Sequence, residues 1–157
     1  MQQESKEEST EGHRLAELVV GAMMDRDAAS NHLGMRIIQA AAGQATVTMK
    51  VKPEMLNGHL TCHGGFIFSL ADSAFAFACN SRNEATVAAG CSIDYLRPAI
   101  AGETLTAVAQ ERALPGRTGV YDVTVSNEEG QLVALFRGRS HRIKGGVIPL
   151  ESGSITN

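Results

Sequence analysis

With 157 residues and 43% hydrophobic side chains spread evenly along it, the chain is long enough for one core and short for two. A net charge of −3 argues against a nucleic-acid partner. No apolar run nears the roughly 18 residues that a membrane span requires. The opening MQQESKEESTEG is acidic and has no apolar core, so residues 1–12 read as a disordered lead-in rather than a secretory signal. From His13 to about Ala29 the spacing is helical, with Leu15, Leu18, Val19, Ala22 and Met23 on one side. Asn31, His32, Leu33 and Gly34 interrupt it, and Met35 to Ala41 read as a strand. Gly43 marks a turn. Gln44 to Val51 then alternates, with Ala45, Val47, Met49 and Val51 inward, until Pro53 ends the strand.

Leu56 to Cys62 has the character of a loop. Gly64-Gly65 then opens a long apolar segment, Phe66 to Cys79, too long for an ordinary strand and rich in helix-forming Ala. A helix that is apolar nearly all round is expected to be wrapped on most sides. Asp72 lies in its middle, where a carboxylate needs a reason. Four strand-like runs follow, about Thr86–Leu96, Glu103–Ala113, Thr118–Ser126 and Leu132–Arg142, separated by turn residues. That spacing predicts an antiparallel meander. Residues 145–157 lack periodicity and are expected to fray. The pattern implies one α+β domain over residues 13–144, an antiparallel sheet wrapped around one long central helix.

Cys62, Cys79 and Cys91 are an odd number, and without a secretory signal they read as reduced thiols of a cytoplasmic protein. His59, Cys62 and His63 have no second ligand pair at zinc spacing, so no metal site is expected.

The segments "MLNGH", "CHGG", "SLADSAFAFACNS", "DYLRP", "TGVYD" and "ALFRGRSHRI" resemble the hotdog fold, in particular the acyl-coenzyme A thioesterases of phenylacetate degradation. The similarity spans roughly Leu33 to Ile143. It implies a sheet wrapped round the helix, homodimers with a continuous joint sheet, and dimers paired into tetramers. It also implies hydrolysis of an acyl-coenzyme A thioester bound at the subunit interface. Coenzyme A is then part of the substrate, and no cofactor is expected.

Thioester hydrolysis needs a polarised carbonyl, an activated water or nucleophile, and a slot for the acyl group. A helix start offers unpaired N–H groups and a positive dipole end. Gly64 and Gly65 let a carbonyl approach that backbone without a Cβ in the way. A donor aimed at the oxyanion is worth about 3–4 kcal/mol in measured hydrolases. The resemblance assigns that amide to Gly64, and makes Asp72 the general base or the nucleophile of a mixed anhydride; the sequence leaves both routes open. Eight residues separate Gly64 from Asp72, about 12 Å along a helix. One carbonyl does not easily touch both, and the resemblance has Asp72 of one chain facing Gly64 of the other. The alternative for Asp72 is a structural hydrogen bond to Ser69 or a neighbouring strand. By resemblance Asn57 bonds a water or the thioester oxygen, and His63 orients the carbonyl or holds the loop. Some related enzymes use a hydroxyl near the start of the following strand to place water. Here that stretch is Val87-Ala88-Ala89-Gly90, flanked by Thr86 and Ser92, and Ser73 follows the acid.

For the coenzyme A phosphates Arg97, Arg117, Arg137, Arg139, Arg142 and Lys144 are candidates, and guanidinium is well suited to phosphate. Leu56, Phe66 and Phe68 are candidates for the acyl slot. A hydratase or dehydratase of the same fold would carry an H-F-P-type motif, which is missing. A non-catalytic acyl-coenzyme A sensor would bring a DNA-binding appendage, and the acidic N-terminus supplies none. The chain has no G-x-S-x-G elbow for serine-hydrolase chemistry.

Overall fold

The computed structural model describes residues 2–149, with side chains from Ser9 onward. Its elements are α1 (Gln2–Arg26), α2 (Ala28–His32), β1 (Arg36–Ala41), β2 (Gln44–Lys50), a 3-10 turn (Pro53–Met55), α3 (Gly64–Asn80), β3 (Thr86–Tyr95), β4 (Thr104–Ala113), β5 (Thr118–Ser126) and β6 (Leu132–Arg142). Six strands form one antiparallel sheet in the order β1-β2-β4-β5-β6-β3, with α3 against it. This is the hotdog arrangement.

The alternation of β2 comes out as expected: Ala45, Val47 and Met49 are buried, while Gln44, Thr46, Thr48 and Lys50 are not. The same period runs through Leu105, Ala107 and Ala109 of β4 and through Tyr121, Val123 and Val125 of β5. Onto that apolar face α3 lays Leu70, Ala71, Ala74, Phe75 and Ala78. Small residues on both sides let the helix come close. The Phe75 ring lies 5.5 Å from that of Tyr121 and 5.9 Å from that of Phe136, both tilted or edge-on. It lies against Gly138, where an added Cβ would stand 2.7 Å from the ring.

Five expectations need correction. The first helix begins at Gln2, through the segment expected to be disordered, because Gln, Glu and Lys are strong helix formers. It ends at Arg26, where Asp27 starts a separate short helix by accepting the Ser30 N–H. Its covered face carries Ala16, Val19 and Val20, and Leu18 is 58% exposed. The four later strands are not one meander: β4, β5 and β6 are consecutive, but β3 pairs with β6 at the far edge. Residues 96–103 can extend roughly 25 Å, enough to cross the roughly 14 Å of three strand spacings. Finally, part of the tail is tied down. Asn83, in a left-handed turn, accepts the N–H groups of Val147 and Ile148 and donates to the Ile148 carbonyl. The rest of the tail, from residue 150, lies outside the described residues. No helix among the described residues is long and apolar enough to cross a membrane.

Seating α3 on Gly138 makes a direct prediction. Gly138→Ala is expected to destabilise the fold by about 1–3 kcal/mol through overpacking against Phe75, read as a lower urea midpoint with an unchanged m-value.

Candidate active site

The entry to α3 is built by the loop before it. Asn57 Oδ1 accepts the N–H groups of His59 (2.9 Å) and Thr61 (3.2 Å), which folds the loop back on itself. Leu56 bridges to Cys62 across its base, and Leu60 takes a left-handed φ of 60° at its tip. His63 thereby reaches the N-cap position, and its Nδ1 accepts the Gly65 N–H at 2.9 Å. A neutral His63 then carries its proton on Nε2.

That cap leaves the two glycine amides unequal. The Gly65 N–H is taken by His63, whereas the Gly64 N–H meets no acceptor among the described residues. Tyr95 Oη donates to the Gly64 carbonyl at 2.9 Å, and an added Cβ at Gly64 would stand 2.9 Å from the Tyr95 ring. Gly64 and Tyr95 share a cavity of about 440 Å³ with Ile67 and Arg97.

Asp72 lies on another face of the helix. Ser69, Asp72, Ser73 and Ala76 fall at i, i+3, i+4 and i+7 and form a stripe that the sheet does not cover. The junction of α1 and α2 stands opposite, and between them opens a cavity of about 570 Å³. Met23, Leu33, Phe68 and Phe77 give it apolar walls; Arg26, Asp27 and Ser30 complete its polar side. Asp72 is half-buried and makes no hydrogen bond or ion pair among the described residues. The alternative bond to Ser69 is absent, because Ser69 Oγ donates to the Gly65 carbonyl instead, at 2.8 Å. Burial raises the Asp72 pKa above the usual 3.8, and the nearby charge of Asp27 adds to the rise.

The structure brings the remaining sequence candidates together only in part. Gly64 and Asp72 face different cavities of one protomer, as their spacing requires. Phe68 lines the Asp72 cavity, whereas Leu56 and Phe66 pack on the core and line neither cavity. The arginines do not form one patch. Arg97 stands in the Gly64 cavity, and Arg137 and Arg139 flank Gly90 in a hollow on the outer sheet face. Arg137 is engaged at both ends of Asp122, at 2.6 and 2.9 Å, and Arg142 pairs with Glu84 at 2.7 Å. Arg117 stands beside Arg142, whose backbone N–H its carbonyl accepts at 2.8 Å, and both line a small pocket with Leu114 and Tyr121. Asp27, Ser30 and Tyr95 escaped notice in the sequence. Asp27 had a signal, an Asp just ahead of a short helical stretch; Tyr95 sat inside "DYLRP" with nothing to say that it reaches Gly64.

Residues 59–134 match the thioesterase superfamily. The chain is 56% identical over 124 residues to acyl-coenzyme A thioesterase PaaI of Escherichia coli, covering 79% of this chain and 89% of that one. The solved structure of the E. coli PaaI protein, from the phenylacetic acid degradation operon, superposes with a TM-score of 0.85 at 52% identity, over 86% of this chain and 98% of that one. A hypothetical thioesterase from Streptococcus pneumoniae, solved with coenzyme A, superposes with a TM-score of 0.68 at 28% identity, over 71% and 87% of the two chains.

The raised pKa of Asp72 carries a stability consequence. Folding favours its protonated form, so its stabilising contribution is complete below the unfolded value and is lost as pH rises through the folded one. Asp72→Asn is therefore expected to melt at a higher temperature than the wild type at pH 7, with the difference vanishing by about pH 3; thermal scans at the two pH values test this.

Proposed function

The chain belongs to the thioesterase superfamily and is an acyl-coenzyme A thioesterase, and from that premise we propose that its substrate is a phenylacetyl or ring-hydroxylated phenylacetyl thioester, cleaved at sites shared by two subunits. The observation that carries this reading is Asp72, a half-buried carboxylate without a hydrogen-bond partner, facing a cavity with room for an aryl group. A chain does not keep such a group without a use, since burying a charge is costly unless it is paired. Phe68 and Phe77 on the cavity wall suit an aromatic ring, through edge-on or offset contacts.

In the proposed reaction ionised Asp72 takes a proton from water as the water oxygen bonds to the thioester carbon. The carbonyl π pair moves onto its oxygen. The resulting oxyanion is held by the Gly64 N–H at the positive end of α3, contributed by the second copy. Collapse restores the carbonyl and breaks the C–S bond. The departing coenzyme A thiolate takes up the proton from Asp72, leaving the free acid. The separate cavities of Asp72 and Gly64 within one protomer support the two-chain arrangement. So does β3, an edge strand with Val87 46% and Tyr95 51% exposed, which a second copy would cover in an antiparallel homodimer. Two dimers would pair as a tetramer. Arg97, beside Gly64 and free of any ion pair among the described residues, is the best-placed cation for the coenzyme A phosphates, with Arg139 second. Cys62 and Cys79 are buried thiols whose pKa values burial raises to about 11 and about 12, which keeps them protonated and out of the proposed chemistry.

With phenylacetyl-coenzyme A as substrate, Asp72→Asn and Asp72→Ala are each expected to lower kcat at least about a hundredfold with the fold intact. Thiol-release assays check this, and near-normal turnover by either variant would sink the assignment. Site sharing has its own test. Asp72→Ala and Gly64→Ala chains, each expected to be inactive alone, the second because its added Cβ crowds the carbonyl's approach and the Tyr95 ring, are refolded together in equal amounts. Half the dimers are then mixed and each has one intact site, so about a quarter of wild-type activity returns. No recovery would show that each chain works alone.

A further inference from the structure

The hydroxyls beside Asp72 have their protons already committed. Ser69 Oγ gives its proton to the Gly65 carbonyl, one turn back along α3, at 2.8 Å. Ser30 is 1% exposed and stands only 2.6 Å from Asp27 Oδ2, while its N–H holds Asp27 Oδ1 at 2.9 Å. An ionised carboxylate only accepts, so the single hydroxyl proton of Ser30 lies on that bond. Ser30 Oγ also stands 2.8 Å from Ser73 Oγ. With no second proton on Ser30, this bond has one direction: Ser73 donates and Ser30 accepts. Ser73 thus has only lone pairs left for the cavity. The stripe of α3 that lines it, Ser69, Asp72 and Ser73, is made of acceptors alone.

We propose that Ser73 is a positioning residue for the hydrolytic water, its hydrogen-bond direction set by Asp27 through Ser30. A water resting on Asp72 and Ser73 gives one hydrogen to each. Both of its hydrogens then point toward the helix, and a lone pair is turned outward to the thioester carbon. As the O–C bond forms, the hydrogen held by Asp72 passes to that carboxylate. The hydrogen held by Ser73 stays on the water oxygen, and Ser73 keeps its own proton throughout. On β3, Thr86 Oγ1 donates to the Glu84 carbonyl at 2.7 Å, residues 87–90 carry no hydroxyl, and neither Thr86 nor Ser92 lines the Asp72 cavity. The inference rests on the reading of Asp72 as the general base.

Ser73→Ala, Ser73→Thr, Ser30→Ala and Asp72→Asn are compared with the wild type as full-length protein, on phenylacetyl-coenzyme A, after circular dichroism has confirmed the folded state. Loss of one orienting hydrogen bond in the transition state is expected to lower kcat of Ser73→Ala about tenfold, with KM changed less than about twofold. Ser73→Thr keeps the hydroxyl and is expected within about threefold of wild type. Ser30→Ala, which frees the direction of the Ser73 proton, falls between them. Wild-type kcat in Ser73→Ala, or equal losses in Ser73→Ala and Ser73→Thr, overturns the inference while an inactive Asp72→Asn leaves the proposed function standing. An active Asp72→Asn removes the proposed function itself, and this inference with it.

Discussion

The closeness with which α3 can lie on its sheet decides which face of the helix is left for chemistry. Ala107 and Ala109 on β4, Ala134 and Gly138 on β6, and Ala71, Ala74 and Ala78 on the helix remove side-chain bulk where the layers meet. The Phe75 ring fills the space this leaves, between Tyr121 and Phe136. With one side of the helix seated in this way, the Ser69, Asp72, Ser73 stripe cannot turn toward the sheet. It meets the α1–α2 junction instead, across a cavity rather than a packed layer. Dense packing on one side is thus what holds Asp72 in place on the other.

Local electrostatics make that stripe costly to keep. Burial and the charge of Asp27 both oppose ionisation of Asp72. A carboxylate with a raised pKa is a stronger base once ionised, and it detracts from stability at neutral pH. Ser69 does not relieve it, since its hydroxyl donates to the Gly65 carbonyl, and in the proposed hydrogen-bond direction Ser73 does not either. The opposite end of the same helix start is arranged in the complementary sense. His63 takes up the Gly65 amide, and Tyr95 fixes the Gly64 carbonyl, which leaves the Gly64 amide as the open donor. The Gly64 amide and Asp72 lie on one helix but face different cavities, and the proposed two-chain site follows from that constraint.

Much of this was legible in the sequence because periodicity reports burial. The alternation of Gln44–Val51 and the apolar run from Phe66 are consequences of facing a core, and a core leaves its mark on every residue that faces it. The boundaries of β5 and β6 fell where the turn residues placed them. Asp72 stood out for the same reason, as an exception to its own run. Capping residues were less visible: Asp27 ended one helix and began another with no break in composition. The acidic start of the chain was misread because low hydrophobicity argues against a core but not against a helix. Asn83 has no periodic signature, and its hold on Val147 and Ile148 depends on a left-handed turn.

The sequence by itself determined that a carboxylate would sit in a core helix and that a glycine pair would open that helix, since side-chain polarity and backbone freedom are properties of single residues. It determined the sheet's inward faces by the two-residue period. Only the tertiary structure decided that β3 would sit at the edge beside β6, because pairing depends on which distant strands meet and not on spacing along the chain. Only the structure decided that Ser30, far from Ser73 in sequence, would come within 2.8 Å of it. It likewise divided the arginines between Arg137 and Arg142, held by carboxylates, and Arg97, left beside Gly64. Each of these is a relation between residues brought together by folding, and such relations leave no trace in local composition.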